Sequence, residues 1–273
     1  MKHAYLIIAH NEFEILQMLV SSLDIPENDL FIHIDKKVKS LPDIKVQKAR
    51  LCVLENRLDV RWGTVSQIKV ELHLMKTALQ AGPYAHYHII SGTHLPLKPI
   101  EDINQFYEAH PSDEIMRLWP EDAGEVDFKL RRYHFPIRDF KHPHKLRRAI
   151  CQKTWTAVLK FQKIFKIRHL TNCTFYKSDN WLSLTEQACH TLVDHESAIL
   201  KKYRWSFCGD EYFIASELIE EGFFSIQDCP TLLFVEFIGD GPRTLSLSEY
   251  QTLCQSPFLW GRKFGYSNFN HKT

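Results

Sequence analysis

The first hundred residues alternate between short, unbroken apolar runs and longer stretches whose apolar positions recur three and four apart. Tyr5 to Ala9 reads Tyr-Leu-Ile-Ile-Ala, as expected of a strand buried on both faces. Residues 12–23 then place Phe13, Leu16, Leu19, Val20 and Leu23 at helical spacing. Leu30 to Asp35 predicts a second strand that ends on an acid, and Leu51 to Leu54 predicts a third. Ser66 is expected to cap a helix reaching Gln80, with Ile68, Leu72, Leu74, Met75 and Leu79 along its apolar side. Tyr87 to Ser91 predicts a fourth strand, followed by a loop at Gly92.

This alternation predicts an α/β fold: a mostly parallel central sheet with helices on both faces. Ligands of such sheets bind at the carboxyl ends of the strands. His10-Asn11, Asp35 and Ser91-Gly92 all fall there. Beyond residue 100 the pattern is less regular. Residues 145–168 form a basic amphipathic stretch, Asn180 to Leu184 reads as a strand, and Thr185 to Val193 as a helix. Asp210 and Glu211 stand side by side where a helix carrying Phe213, Ile214, Leu218 and Ile219 begins. No repeat, low-complexity tract or Gly/Ser linker interrupts the chain, so one domain over residues 1–273 is expected.

Composition narrows the function classes. Apolar residues make up 44% and charged residues 25%, as in ordinary soluble globular proteins. The formal net charge is +1, which gives no overall bias toward polyanions. The charge is unevenly spread: residues 129–168 carry thirteen Lys/Arg and a single acid, Asp139. That stretch reads either as a solvated helix face or as a membrane-surface contact. In the second reading its cations meet anionic headgroups while Trp155, Phe161 and Phe165 enter the interface. No nucleic-acid motif accompanies it, so no nucleic-acid partner is expected. Seven scattered cysteines without a C-x-x-C argue against a disulfide framework or a structural zinc site. The N-terminal apolar run is too short for a signal peptide, and no stretch approaches the roughly 20 apolar residues of a membrane span. A cytoplasmic protein is expected, with the inner face of the cell membrane as the alternative location.

Two histidine pairs, His86-x-His88 and His142-x-His144, have no acid or cysteine at ligand spacing, so no metal site is expected. The chain also lacks an Asp-x-Asp, the usual metal handle of nucleotide-sugar enzymes. It has instead a carboxylate at Glu211 and separate cations at Arg243, Arg262 and Lys263. One base plus a cation cluster suits a displacement whose leaving group is an anion.

Seven segments in order resemble glycosyltransferase family 14, which includes the core-2/I-branching N-acetylglucosaminyltransferases and the peptide O-xylosyltransferases. They are residues 4–11 (Ala-Tyr-Leu-Ile-Ile-Ala-His-Asn), 33–37 (His-Ile-Asp-Lys-Lys), and Val60 to Gly63 with Ser66. Residues 87–98, Ser178 to Trp181, Gly209 to Glu211 and Gly261 to Phe264 complete the set. The resemblance implies a GT-A fold with a Rossmann-like sheet, an inverting mechanism, a UDP-sugar donor and no divalent metal or other cofactor. It divides the chain into a nucleotide-binding half (1–100) and an acceptor-binding and catalytic half (101–273).

Roles follow residue by residue. Glu211 is implied as the catalytic base, with Asp210 either capping the next helix or raising the pKa of Glu211 by like charge. Arg243 and Lys263 are implied as diphosphate ligands, with Arg262 as a substitute for Arg243. Ala9, His10, Asn11, Asp35 and Trp62 are implied around the nucleoside, where Ser91-Gly92 and His94 would shape the pocket. Glu114, Lys129, Arg131 and Arg132 fall at acceptor positions, and Phe234 or Phe237 would supply a platform for a sugar ring. The acceptor is expected to be a glycan or a lipid-linked glycan. Two other classes stay open at this point: a non-catalytic glycan- or nucleotide-binding module, and a glycoside hydrolase pairing Glu211 with another carboxylate.

Overall fold

The structure, a computed structural model, describes residues 1–223, 225–239 and 241–270. Its strands are β1 (His3–Ala9), β2 (Asn28–Ile34), β3 (Arg50–Val53), β4 (Tyr87–Ser91), β5 (Leu95–Pro96) and β6 (Glu114–Met116). They continue as β7 (Leu182–Leu184), β8 (Ile226–Asp228), β9 (Leu233–Val235), β10 (Phe237–Ile238), β11 (Gly241–Pro242) and β12 (Trp260–Arg262). The helices are α1 (Phe13–Ser22), α2 (Ser66–Leu79), α3 (Ile100–Glu108), α4 (Ala123–Lys129) and α5 (Lys145–Ile164). After these come α6 (Glu186–Asp194), α7 (Glu196–Lys202), α8 (Phe213–Glu220), α9 (Leu247–Leu253) and α10 (Tyr266–Asn270).

A seven-stranded sheet in the order β3-β2-β1-β4-β7-β6-β8 forms the centre. β1 pairs in parallel with β2 and β4, so that Ile7 faces Ile32 on one side and Ile90 on the other. β7 alone runs against both its neighbours; the mostly parallel sheet and flanking helices are those expected from the sequence. Strands from both halves of the chain share this one sheet.

The unbroken apolar runs are explained by two cores, one on each face. Ala4 and Leu6 of β1 point toward α2, α6 and α8, whereas Tyr5, Ile7 and Ala9 point toward α1 and α3. A small sheet, β5-β12-β9, holds the C-terminal segment against the main body. It positions Arg262 at the end of β12.

Local details differ from expectation. Val65, not Ser66, precedes α2. The Ser66 hydroxyl instead accepts from the Arg61 backbone N–H at 2.7 Å, shaping the loop before the helix. Thr185 is the cap of α6, accepting from the Ala188 N–H at 3.2 Å. The strand expected from Asn180 begins only at Leu182.

Candidate active site

Glu211 closes a short 3-10 turn, Gly209–Glu211, that leads into α8. Gly209 is needed there: a Cβ would come within 3.0 Å of the Tyr203 ring. The Glu211 carboxylate is partly exposed. Its Oε2 takes the Lys129 ammonium at 2.5 Å, and Lys177 stands 3.8 Å away. Both lysines also engage Glu125, each at 2.7 Å. Two acids and two lysines thus form a compact network around the implied base. The anionic partners hold Lys129 above the ordinary ammonium range despite its burial.

Asp210 turns inward, away from Glu211's solvent side. It accepts from Gln67 Nε2 at 2.8 Å and from Asn180 Nδ2, while its Oδ1 has no partner. Burial, reinforced by the charge of Glu211, pushes its pKa up to about 7. Fully buried Glu71 of α2 is pushed well up as well, by burial and then by Asp210. Asp210 caps no helix; it anchors the turn to α2 and to the loop before β7.

A second group collects at the carboxyl ends of β1 and β2. Asp35 is buried and accepts from the Lys37 N–H at 2.8 Å, from Lys37 Nζ at 2.7 Å and from the Val60 N–H at 3.2 Å. Its own N–H donates to the Ala9 carbonyl at 2.9 Å. Burial lowers the pKa of His10, and among the charges acting on it are Lys263, Asp35, Lys37 and Arg262. His10 thus feels charge from both the N-terminal and the C-terminal part of the chain. The Asn11 Oδ1 is buried in the loop after β1 without a partner. Gly92 lets β4 close on this loop, since a Cβ would lie 2.8 Å from that of Ala9.

Arg262 lies over the Trp181 ring at 4.8 Å, and Trp181 in turn meets His94 edge-on at 5.0 Å. Burial lowers the Arg262 pKa to about 10, so it stays charged at neutral pH, and its Nε has no partner. Asp179 connects the two groups electrostatically: it acts on Arg262 and is itself acted on by Glu211 and Lys177. Its Oδ1 accepts from the Trp119 indole at 2.7 Å, its Oδ2 is buried and unpartnered, and burial raises its pKa.

Trp62 sits on a short segment tied to the turn that bears Glu211, the Cys208 N–H donating to the Gly63 carbonyl at 3.0 Å. Lys141 covers the Trp62 ring at 3.5 Å, and Phe207 meets it edge-on at 5.1 Å.

Other expected residues are placed elsewhere. The Arg243 segment runs beside that of Lys263, Leu245 donating its N–H to the Lys263 carbonyl at 2.8 Å, but the Arg243 side chain is engaged by carboxylates. Its guanidinium is held by Glu236 at 2.6 Å and by Glu249, the acid of the capping box on α9. Glu114 is a clear correction. It starts β6 at the strand end opposite to the site, and it is buried. Both its oxygens are occupied by Thr185, at 2.6 and 2.8 Å, and burial raises its pKa to about 7. It braces the start of α6 and cannot offer its carboxylate to an acceptor. Arg132 pairs with Asp127 at 2.8 Å, and Arg131 reaches the Cys173 carbonyl at 3.4 Å, so both hold the connection after α4. Phe234 lies beside Gly261 in the small sheet, its ring against Phe258, whereas Phe237 is exposed on β10. The His86-x-His88 pair stacks with His3 in the core, at the opposite ends of β1 and β4. Among the described residues no group of three or more His, Cys, Asp or Glu side chains is placed to hold a metal ion.

The sequence model of the Core-2/I-Branching enzyme family matches residues 3–230. The chain belongs to that family. No curated protein matches it. Among solved structures it is similar to the apo form of mouse xyloside xylosyltransferase 1. The identity is 11%, over 98% of this chain and 96% of that one, with a TM-score of 0.39, a likeness too faint to carry weight. Membership of the core-2/I-branching family makes the chain a glycosyltransferase, a class that joins a nucleotide-sugar donor to a glycan acceptor. The matched segment contains Asp35, Lys129 and Glu211 and stops short of Arg243, Arg262 and Lys263.

Sequence reasoning overlooked Lys37, Glu125, Lys177 and Asp179 as site residues. Lys37 and Asp179 lie inside segments that carry the family resemblance. Lys177 carries no local signal, because its partners are distant in sequence, whereas Glu125 stands one helical turn before Lys129 and that spacing could have pointed to it.

Proposed function

We propose that the chain is an inverting, metal-independent glycosyltransferase that transfers a sugar from a UDP-sugar to a hydroxyl of a glycan or lipid-linked glycan. N-acetylglucosamine is the first donor sugar to test and xylose the second; the setting is bacterial surface polysaccharide or lipooligosaccharide synthesis. The acceptor oxygen bonds to the anomeric carbon as the bond to the diphosphate oxygen breaks. The proton of the acceptor passes to Glu211, UDP departs, and single displacement on an α-linked donor yields a β-glycoside. Both lysines approach Glu211 at Oε2, which leaves Oε1 for that proton. Lys263 and Arg262 neutralise the departing diphosphate, Arg262 taking the part first expected of Arg243. Asp35, its oxygens engaged by Lys37 and the Val60 N–H, fixes the strand end beside His10 against which the nucleoside would lie.

The observation that carries this reading is a partly exposed Glu211, held at one oxygen by Lys129, together with separate cations, Lys37 bound to Asp35 after β2 and Arg262 over the Trp181 ring at 4.8 Å. The test is a screen of UDP-, GDP- and CMP-sugars for donor hydrolysis and transfer, with and without EDTA. Turnover of a UDP-sugar that persists under chelation is the expected result. Glu211→Gln should lower kcat by about 10²–10⁴-fold while UDP binding is retained. Activity that disappears in EDTA and returns with magnesium would refute the metal-independent mechanism. Undiminished turnover in Glu211→Gln would refute the assignment of the base.

A further inference from the structure

Helix α5 carries an outer face that no described residue covers. Its inner face holds Cys151, Trp155 and Gln162: the Trp155 indole donates to His134 at 3.0 Å, and Gln162 brackets the Tyr133 backbone at 2.8 Å. A helix repeats every 3.6 residues, so Leu146, Ile150, Phe161 and Ile164 fall together on the opposite side, with Phe165 following at the end. These five are between 53% and 73% exposed. Lys145, Arg147, Lys153, Lys160 and Lys163 are exposed along the flanks of this stripe. No Asp or Glu occurs anywhere between Asp139 and Asp179.

We propose that this outer face is a docking surface for an anionic lipid bilayer. The α5 helix is 20 residues long, or about 30 Å, and its exposed large apolar side chains stand in two groups, Leu146 with Ile150 near its start and Phe161 with Ile164 at its end, Ala157 lying between them on the same side. A stripe of large apolar side chains bordered by cations, without acids, is the pattern of a helix lying in a membrane interface. Its rings and branched chains would enter the acyl boundary while the lysines reach headgroup phosphates. A second copy of the chain is a poor occupant, because a face meeting itself would oppose its own unbalanced cations. Nucleic acid is a poor occupant too, because the large apolar side chains at both ends of this face offer a phosphate backbone no partner.

The placement bears on the reaction. The Trp155 ring packs tilted against that of Phe207 at 5.7 Å, and the Phe207 N–H donates to the Lys129 carbonyl at 2.8 Å. Lys129 holds Glu211. A bilayer under α5 would thus be coupled to the turn bearing the proposed base through three packed residues. An acceptor carried on a lipid would be presented near it. The docking surface itself does not depend on the transferase reading.

The test is flotation of the full chain with vesicles of phosphatidylcholine alone, and of phosphatidylcholine mixed with phosphatidylglycerol. The protein should float with the mixed vesicles only, and high salt should release it. Each cation near an anionic surface contributes about fivefold to partitioning. Lys153→Glu with Lys160→Glu should therefore weaken binding about 25-fold or more. Phe161→Ser with Ile164→Ser should also abolish flotation, with thermal stability and UDP binding unchanged because these side chains support no core. The proposal is overturned if the wild type fails to float or if neither double variant affects flotation. It is equally overturned if the wild type prefers a DNA duplex to vesicles, or if it is a dimer that Phe161→Ser with Ile164→Ser dissolves.

Discussion

At the scale of single residues, chain position alone separates the candidates poorly, and partners separate them well. Arg243 and Lys263 both looked like phosphate ligands in the sequence. Arg243 is occupied by two carboxylates, whereas Lys263 acts on His10 beside Asp35. A charge-assisted hydrogen bond contributes about 1.5–3 kcal/mol. Lys263→Ala should therefore weaken UDP at least about tenfold in a calorimetric titration while leaving uridine untouched. Arg243→Ala should leave UDP affinity within about twofold and lower thermal stability instead, since it strands Glu236 and Glu249. The reverse pattern would return the diphosphate to Arg243. Asp35 and His10 were legible because each follows an apolar strand, and Glu211 because it stands just before a helix of apolar period. Lys177 and Asp179 were not: what makes them notable is a set of neighbours drawn from residues 117–125, 211 and 262.

At the scale of elements, buried strands were readable from their apolar runs and short ones were not. β6 and β8 have three residues each, too few to show a period, yet they complete one side of the sheet. The same shortness hid the true place of Glu114, whose position in β6 sets its carboxylate against Thr185. Its pKa of about 7 lies above the ordinary carboxylate value because it is buried. The folded state therefore holds that proton more tightly than the unfolded chain. Its contribution to stability is complete below about pH 4.3 and is lost as pH rises through 7. Glu114→Gln keeps the shape and cannot ionise. Its stability relative to wild type, followed by urea unfolding, should rise by about 3 kcal/mol between pH 4.5 and 8. A constant difference across that range would show that the carboxyl ionises freely in the fold.

At the scale of the whole molecule, the central sheet draws on strands from residues 3–91 and 114–228, and its two cores each take residues from both halves. Unfolding should therefore appear in calorimetry as one transition, with calorimetric and van't Hoff enthalpies equal. Two separated transitions would mean that the nucleotide-binding and catalytic halves melt independently. The α/β class was legible from the sequence because it depends on local pattern. The antiparallel insertion of β7 was not, because it depends on which strand edge a distant segment reaches. That insertion has a consequence for synthesis. β1 to β4 emerge from the ribosome early, whereas the partner of β4's outer edge lies more than ninety residues downstream. Until it arrives, the nascent sheet ends in Tyr-His-Ile-Ile-Ser with its backbone groups open, which is the kind of edge that chaperones shield and neighbouring nascent chains pair with.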